Sequence, residues 1–582
     1  MAAKKARPNK GKGGDARISK QQAMEERVRR KKEAQKRKDY VTPQSLFVFA
    51  LVMAVLSLLG HLLPRSSTPD APVPSQTAES AKATPQRGLP LDDTSPEVRR
   101  FLSWLESKGA DTSKLAVRNC GRQSLVRNNE AECRTVYVKD QASFGETLAT
   151  LPLSLAFKGD NCELCDKLNE TDLKHLIPDA GELPQETQDA LLLAVALAHE
   201  KTLGDESEYA PWIATLPKSF PQLPSHWSQD DKMFALASPA LLQALFGSNP
   251  AEVMRRAYAA LNTEEYLGTT DFSEDDLVWA IDVINTRSVS VPKQGRVLLP
   301  FADLFNVLPV GQAGLDEEDG VVQIKASHSQ IGEAGEVFIR ISAEASNADL
   351  LQQYGFVWRQ NPRKTVLLPV PVAENEAMLD ALQGHFNVEL FKSPSTCRLE
   401  KPFPSQQPTV FNRECLVRLR VSFADDVAAE RVSAMLEKGA DVLSILTLPL
   451  SAGSEEQLWD YIAQEARKNE DKYPDKPSRD EKKTWSVNRR NAFKVLREEV
   501  AVLEWAQKTA DKCPLQLFED EEIGMLSDDS VASFFACTQG AYGVYTGDQL
   551  IDARRGKTVK EAEETEEDVA EFDDDSDDEI DL

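Results

Sequence analysis

Val297–Pro309 reads VLLPFADLFNVLP, and farther along Ser346–Val357 reads SNADLLQQYGFV. Each block reads as an apolar strand running into a polar turn. Together they fix the order Asp303, Asn306, Tyr354 along the chain. Taken singly these residues have ordinary explanations. A tyrosine on a strand beside Phe356 is a core aromatic with a satisfied hydroxyl, Asn306 holds a turn, and Arg287 upstream sits in a structural ion pair. Only their order with other blocks gives them a further meaning.

Working outward, the preceding stretches fall into a fixed succession. Phe101-Leu102-Ser103-Trp104-Leu105 is followed by Gly109-Ala110, then Gly145-Glu146 and Leu151-Pro152-Leu153-Ser154-Leu155. Next come Glu200-Lys201, Ser207, Tyr209, Pro211-Trp212-Ile213 and Leu216-Pro217, and then Phe272-Ser273, Trp279-Ala280 and Thr286-Arg287. Over residues 98–365 this succession resembles the SET-domain protein methyltransferases, in the branch that includes the Rubisco large-subunit lysine methyltransferase.

The resemblance implies an α+β fold: a SET-type β-fold with a helical insert, followed by an all-helical C-terminal substrate-binding domain. It also implies S-adenosylmethionine as cofactor and the lysine side chain of a protein as methyl acceptor. Tyr354 maps onto the tyrosine that lines the lysine channel. Asn306 maps onto a cofactor contact, Arg287 onto the partner of the cofactor carboxylate, and Arg134 onto the cofactor turn; the segment before Gly145-Glu146 lies along the cofactor. The chemistry needs such an arrangement. Methyl transfer is an in-line displacement, so the acceptor nitrogen has to be neutral and held in near-attack geometry. A narrow, dry channel disfavours the ammonium and strengthens dipoles aimed at the reacting centre.

The chain also departs from the family pattern. Cys133-Arg134-Thr135 stands where the family has a Gly-Arg-Gly type turn, and a β-branched Thr135 resists the positive φ that glycine allows. Val307 replaces the histidine after Asn306. Ser342-Ala343 replaces a Tyr-Gly pair before Ser346-Asn347, which removes a second pore hydroxyl. Two functions from different classes therefore stand side by side: a protein-lysine N-methyltransferase, or a catalytically silent SET-fold protein that acts as a membrane-anchored protein-binding module. Cofactor affinity separates them. Gly556-Lys557-Thr558 lacks the upstream glycine of a P-loop, and no G-x-S-x-G occurs.

Charge is distributed unevenly around a net −26. Residues 1–38 hold fifteen Lys/Arg against four Asp/Glu, whereas residues 561–582 hold fourteen Asp/Glu and no Lys or Arg. The acidic body argues against nucleic acid as the main partner and favours a basic or lysine-bearing protein segment. No charged residue lies between Asp39 and Arg65, and Leu46–Leu63 (LFVFALVMAVLSLLGHLL) is almost wholly apolar. This run is close to the length that crosses a bilayer and shows no polar face. It predicts a single-pass transmembrane helix over 45–64. The long basic block ahead of it, with no A-x-A-like site behind it, argues against a cleaved signal peptide. Lys31, Lys32, Lys36, Arg37 and Lys38 abut the N-terminal side, so the positive-inside rule places the N-terminus in the cytosol and the body in the lumen of the endoplasmic reticulum or secretory pathway.

The eight cysteines fall as near neighbours: Cys120 with Cys133, Cys162 with Cys165, Cys397 with Cys415, Cys513 with Cys537. This spacing suits four local disulfides in an oxidising lumen. No second close pair completes a zinc set with Cys162 and Cys165, so no metal site is expected. Asn169-Glu170-Thr171 is a glycosylation sequon. The resulting order is a basic segment (1–40), the anchor (45–64), a Pro/Ser/Thr-rich tether (65–97), the SET domain (98–390), a helical domain (391–512) and an extension with an acidic tail expected to be disordered (513–582). Gln188–His199 reads as a buried helix, Ser273 with Asp276 as a helix-capping box, and Ala492, Leu496, Val500 and Leu503 as the core stripe of a late helix.

Overall fold

The computed structural model describes residues 95–119, 134–158, 185–246, 250–261, 271–401, 410–470 and 472–514, with a few isolated positions beyond. The predicted anchor, the sequon, Cys120, Cys133, Cys162, Cys165 and the acidic tail lie outside the described residues. Among the described residues no helix is long and apolar enough to cross a membrane, and no His/Cys/Asp/Glu group could hold a metal ion. The chain divides into two compact units, Met1–Thr77 with Phe246–Ser248 and Ala78–Leu245 with Asn249–Leu582. All described residues except Phe246 fall in the second.

The first half is built from short strands. Helix α1 (Pro96–Ser107), capped by Ser95, precedes the antiparallel pair β1 (Leu115–Asn119) and β2 (Arg134–Val138). Strand β3 (Thr147–Pro152) pairs with β8 (Val321–Lys325), which also pairs with β7 (Gly314–Glu318). The hairpin of β4 (Val289–Val291) and β5 (Gly295–Val297) precedes β6 (Asn306–Leu308), which runs parallel to β9 (Phe338–Arg340). Between β3 and β4 comes a helical layer: α2 (Gln185–Leu203), α3 (Ala210–Ile213), α4 (Gln229–Ala235), α5 (Pro239–Phe246), α6 (Pro250–Leu261) and α7 (Glu274–Arg287). Ala194–Ala198 of α2 are buried, as an apolar stretch with no polar face requires. The Ser273–Asp276 capping box forms at the start of α7, and the helix runs to Arg287, three residues past the expected end at Ile284. Strands and insert share one core centred on Leu151, Phe157, Trp212, Leu298 and Phe301.

The block expected to be a strand ending in a turn, Ser346–Val357, is instead helix α8 (Asn347–Tyr354). Ser346 and Asp349 form a second capping box there, and that local chemistry overrides the apolar run. Tyr354 therefore closes a helix rather than sitting on a strand.

The second half contains α9 (Glu376–Leu382), α10 (Val410–Ser422), α11 (Asp426–Glu437), α12 (Val442–Leu446), α13 (Ala452–Glu470), α14 (Arg479–Thr484) and α15 (Val487–Lys512). It is not all-helical. Strand β11 (Ser395–Glu400) pairs with β10 (Thr365–Val370), so the ribbon crosses the boundary placed at 390. The alternating buried residues of β10 explain this: Val366, Leu368 and Val370 join Leu399, Leu458, Trp459 and Leu503 in the helical core. Leu517, Leu526 and Val531 belong to the same core, which therefore continues past 512. The Cys397–Cys415 and Cys513–Cys537 disulfides are formed.

Candidate active site

The site gathers around β6. Parallel pairing sets Asn306 beside Phe338, and Glu336, two residues before β9's first position, bridges to Tyr137 on β2. Three segments therefore meet at one carboxylate oxygen. Asn306 Nδ2 donates to Glu336 Oε1 at 2.7 Å, and the buried Thr135 hydroxyl donates to the same oxygen at 3.0 Å. Arg134, at the head of β2, donates from Nη1 to the Thr215 carbonyl at 3.4 Å, which joins the strand to the insert just after α3.

One turn before Asn306 lies a second knot. Arg287, in the last turn of α7, donates from Nη1 to the Asp303 carbonyl at 3.2 Å. The Asp303 carboxylate accepts from the buried indole of Trp212 at 3.2 Å. Burial pushes Asp303 up to about 6, and the Arg287 charge pulls against that rise. Phe301, two residues earlier, has φ +81°, a left-handed conformation that a bulky residue rarely adopts.

Tyr354 approaches from the other side. Gly355 ends α8 at φ +78°, and a Cβ there would lie 2.3 Å from Cγ of Gln222, so only glycine lets the chain turn against the insert. Phe356 then enters a cluster with Leu308 and Phe338, and Tyr354 packs on it with Val307, the residue after Asn306. The Tyr354 and Phe356 rings are 6.0 Å apart. Among the described residues the Tyr354 hydroxyl has no hydrogen-bond partner, and burial raises its pKa, so it stays a phenol. Asn347 locks the turn from behind: it exchanges hydrogen bonds with Trp358 at 2.8 and 2.9 Å and donates to Glu498 at 2.8 Å.

Of the four residues singled out in the sequence, Asn306 shares Glu336 with Thr135, the neighbour of Arg134, while Arg134 itself bonds to the insert at Thr215. Arg287 is held one step away on Asp303, and Tyr354 flanks the same strand separately. Glu336 and Trp212 acquire roles that the motif reading did not give them. The signal for Glu336 was a charged residue directly ahead of the apolar Val337-Phe338-Ile339, where a strand edge has to satisfy a carboxylate. The donor set suits S-adenosylmethionine, which carries a sulfonium, an ammonium and a carboxylate: a carboxylate at Glu336, an amide at Asn306 and guanidinium groups at Arg134 and Arg287 offer the complementary charges.

Structures of the Rubisco large-subunit methyltransferase (LSMT) match the fold of this chain. Its SET domain bound to methyl-lysine and S-adenosylhomocysteine matches with a TM-score of 0.53 at 17% identity, covering 72% of this chain and 93% of that one. The enzyme bound to S-adenosylmethionine matches at 0.52 with 18% identity and the same coverage. The chain carries the SET fold of the LSMT branch.

Sequence relatives of this SET-fold chain agree. It is 28% identical over 201 residues to the [fructose-bisphosphate aldolase]-lysine N-methyltransferase of Arabidopsis thaliana, spanning 32% of this chain and 40% of that protein. It is 23% identical over 333 residues to the Rubisco large-subunit N-methyltransferase of Pisum sativum, 54% and 62% respectively. Over 315 residues it is 23% identical to the actin-histidine N-methyltransferase of Drosophila melanogaster, 48% and 56%. The chain spans about half the length of the curated relatives it matches. No family model matches it.

Proposed function

We propose that this chain transfers a methyl group from S-adenosylmethionine to a lysine side chain of a protein, with a basic or lysine-bearing segment as the recognised element. The observation that carries the reading is the half-buried Tyr354 hydroxyl, which has no hydrogen-bond partner among the described residues. When bound, the cofactor supplies an electrophilic methyl on a sulfonium. The apolar surround of Val307, Leu308 and Phe356 disfavours an ammonium and so favours the neutral amine of an incoming lysine. Tyr354, kept as a phenol, presents an O–H dipole that orients that amine. Glu336 attracts positive charge beside β6, Asn306 and Arg134 orient polar groups there, and Arg287 holds the Asp303 turn that carries Asn306.

The test is transfer of labelled methyl by the full chain to a protein extract, with the acceptor identified after hydrolysis and cofactor binding measured by calorimetry. Labelled methyl-lysine is expected; label found only in methyl-histidine would overturn the acceptor assignment. The silent, membrane-anchored binding module is the second reading. It draws on Thr135 at the family's glycine position and on Arg287 being occupied by Asp303. Absence of both transfer and cofactor binding would select it.

The proposal extends to location: Leu46–Leu63 as a single-pass anchor, with the N-terminus cytosolic and the body lumenal. The Cys397–Cys415 and Cys513–Cys537 disulfides support an oxidising compartment. In microsomes, external protease should remove the N-terminus and spare the body, and Asn169 should carry endoglycosidase-sensitive mass. Complete digestion of the body would reverse the orientation.

A further inference from the structure

Methyl transfer makes no use of a group of cations on the second half of the molecule. Arg359 and Lys364 lie between α8 and β10, Lys401 follows β11, and Lys494 and Lys508 lie on α15. They are neighbours: Lys494 Nζ donates to the Arg359 carbonyl at 2.7 Å, and the Lys401 backbone N–H donates to the Lys364 carbonyl at 3.0 Å. Burial, with the charges of Lys364 and Lys508, lowers the pKa of Lys401 against the pull of Glu504. Burial lowers that of Lys494 as well, with Glu498 opposing and Arg359 and Lys364 adding to the fall. Lys494 has a carboxylate at ion-pair distance, Glu498 at 4.0 Å. Arg359, Lys364, Lys401 and Lys508 have no side-chain hydrogen bond or ion pair among the described residues. In a chain of net charge −26, five cations gathered beside two acids, Glu498 and Glu504, are out of character, and their excess positive charge favours an anion over them.

We propose that this face binds an acidic polypeptide segment, and that the segment is the chain's own residues 561–582. The charge match is direct, since that stretch holds fourteen Asp/Glu and no Lys or Arg. The connection is also suitably placed. Helix α15 ends at Lys512, one turn beyond Lys508, and the Cys513–Cys537 disulfide brings the chain back to that end before it leads on to the tail. Tethering raises the local concentration of the tail to roughly millimolar. Single surface ion pairs are weak, so many of them held on one leash are needed for occupancy.

Zero-length carbodiimide coupling of the full chain at low salt tests this, because it joins only carboxylates and amines already in contact. Peptides from 561–582 should be recovered linked to Lys364, Lys401 and Lys508 in the monomer band. The links should fall several-fold at about 0.5 M salt, where the screening length drops to a few ångströms. They should be lost in the variant Lys364→Glu, Lys401→Glu, Lys508→Glu. Those side chains make no hydrogen bonds among the described residues, so the variant should keep the wild-type melting temperature, and a chain ending at Lys560 should show the patch lysines more reactive to acetylation. Three results would overturn the proposal: tail links spread over all surface lysines, links only between two copies, or patch lysines protected solely by added nucleic acid or a second acidic protein.

Discussion

Two tyrosines, each half-buried, are treated in opposite ways by this fold. Tyr473, ahead of α14, donates its hydroxyl to Glu499 at 3.0 Å, and burial together with that carboxylate drives its pKa far up. Tyr354, at the end of α8, has no hydrogen-bond partner for its hydroxyl among the described residues, although burial raises its pKa as well. A buried hydroxyl is normally satisfied, because leaving it unmade costs more than the bond returns. Tyr473 therefore reads as part of the fold, and Tyr354 as a group kept open for something that arrives. The knots between them show the intermediate case. Asn306 and Thr135 are held on Glu336, as polar groups are when they position a ligand rather than react with it.

The largest expected effect breaks the comparison at its open end. Tyr354→Phe keeps the ring against Phe356 and removes only the hydroxyl. Methyl transfer should fall roughly 10²-fold to 10³-fold while cofactor affinity and melting temperature stay near wild type. Initial rates with labelled cofactor, calorimetry and a melting curve check all three. A loss of stability in place of rate would make Tyr354 another Tyr473.

Glu336→Ala should come next. It leaves the buried Thr135 hydroxyl and the Asn306 amide without their shared acceptor, a cost of about 2 kcal/mol in urea denaturation. It should also weaken cofactor binding, whereas Glu336→Gln, which retains an acceptor oxygen, should recover most of the stability. A Glu336→Ala protein that loses stability but binds cofactor normally would place the knot outside the site.

Tyr473→Phe is the mirror of the first substitution. It should cost about 1 kcal/mol of stability through the lost bond to Glu499 and leave methyl transfer unchanged. A drop in rate at constant stability would show that the helical half reaches the chemistry.

How much of this was readable in advance differs between the two halves. Motif order located β3, α7 and β6, because a SET fold keeps residue identity at a few fixed places. Conformation was harder: Ser346–Val357 has an apolar run that suits a strand, and only the pair Ser346 and Asp349, three apart, marks it as a capped helix. The ribbon of β10 and β11 was hidden for a different reason. Its strands are far apart in sequence, and each alone is too short to outweigh the helical periodicity around it. Glu336 carries no motif, and its importance arises only when β2, β6 and β9 come together.

The smallest effect concerns the join between the halves. Glu499 on α15 is buried and Glu498 half-buried against the first half: Glu499 accepts from Ser238 at 2.8 Å, and Glu498 accepts from Asn347, the residue that locks the turn behind Tyr354, at 2.8 Å. Burial pushes Glu498 up to about 7 and Glu499 up to about 8. Both folded values lie above the unfolded value of about 4.3, so between these limits the native state binds more protons than the unfolded one. Their contribution is fully present below about pH 4 and is lost as pH rises through 7 to 8, with a slope of at most about 1.4 kcal/mol per pH unit for each group. The exposed carboxylates whose pKa is lowered, such as Asp111 and Glu146, act in the opposite direction at lower pH and are solvent-screened. Urea midpoints should therefore decline from about pH 5 to pH 8. Glu499→Gln, neutral throughout, should flatten that decline and gain on the wild type toward the alkaline end. Equal slopes for the two proteins would mean that Glu499 ionises freely in the fold, and that the buried join is wetter than its geometry implies.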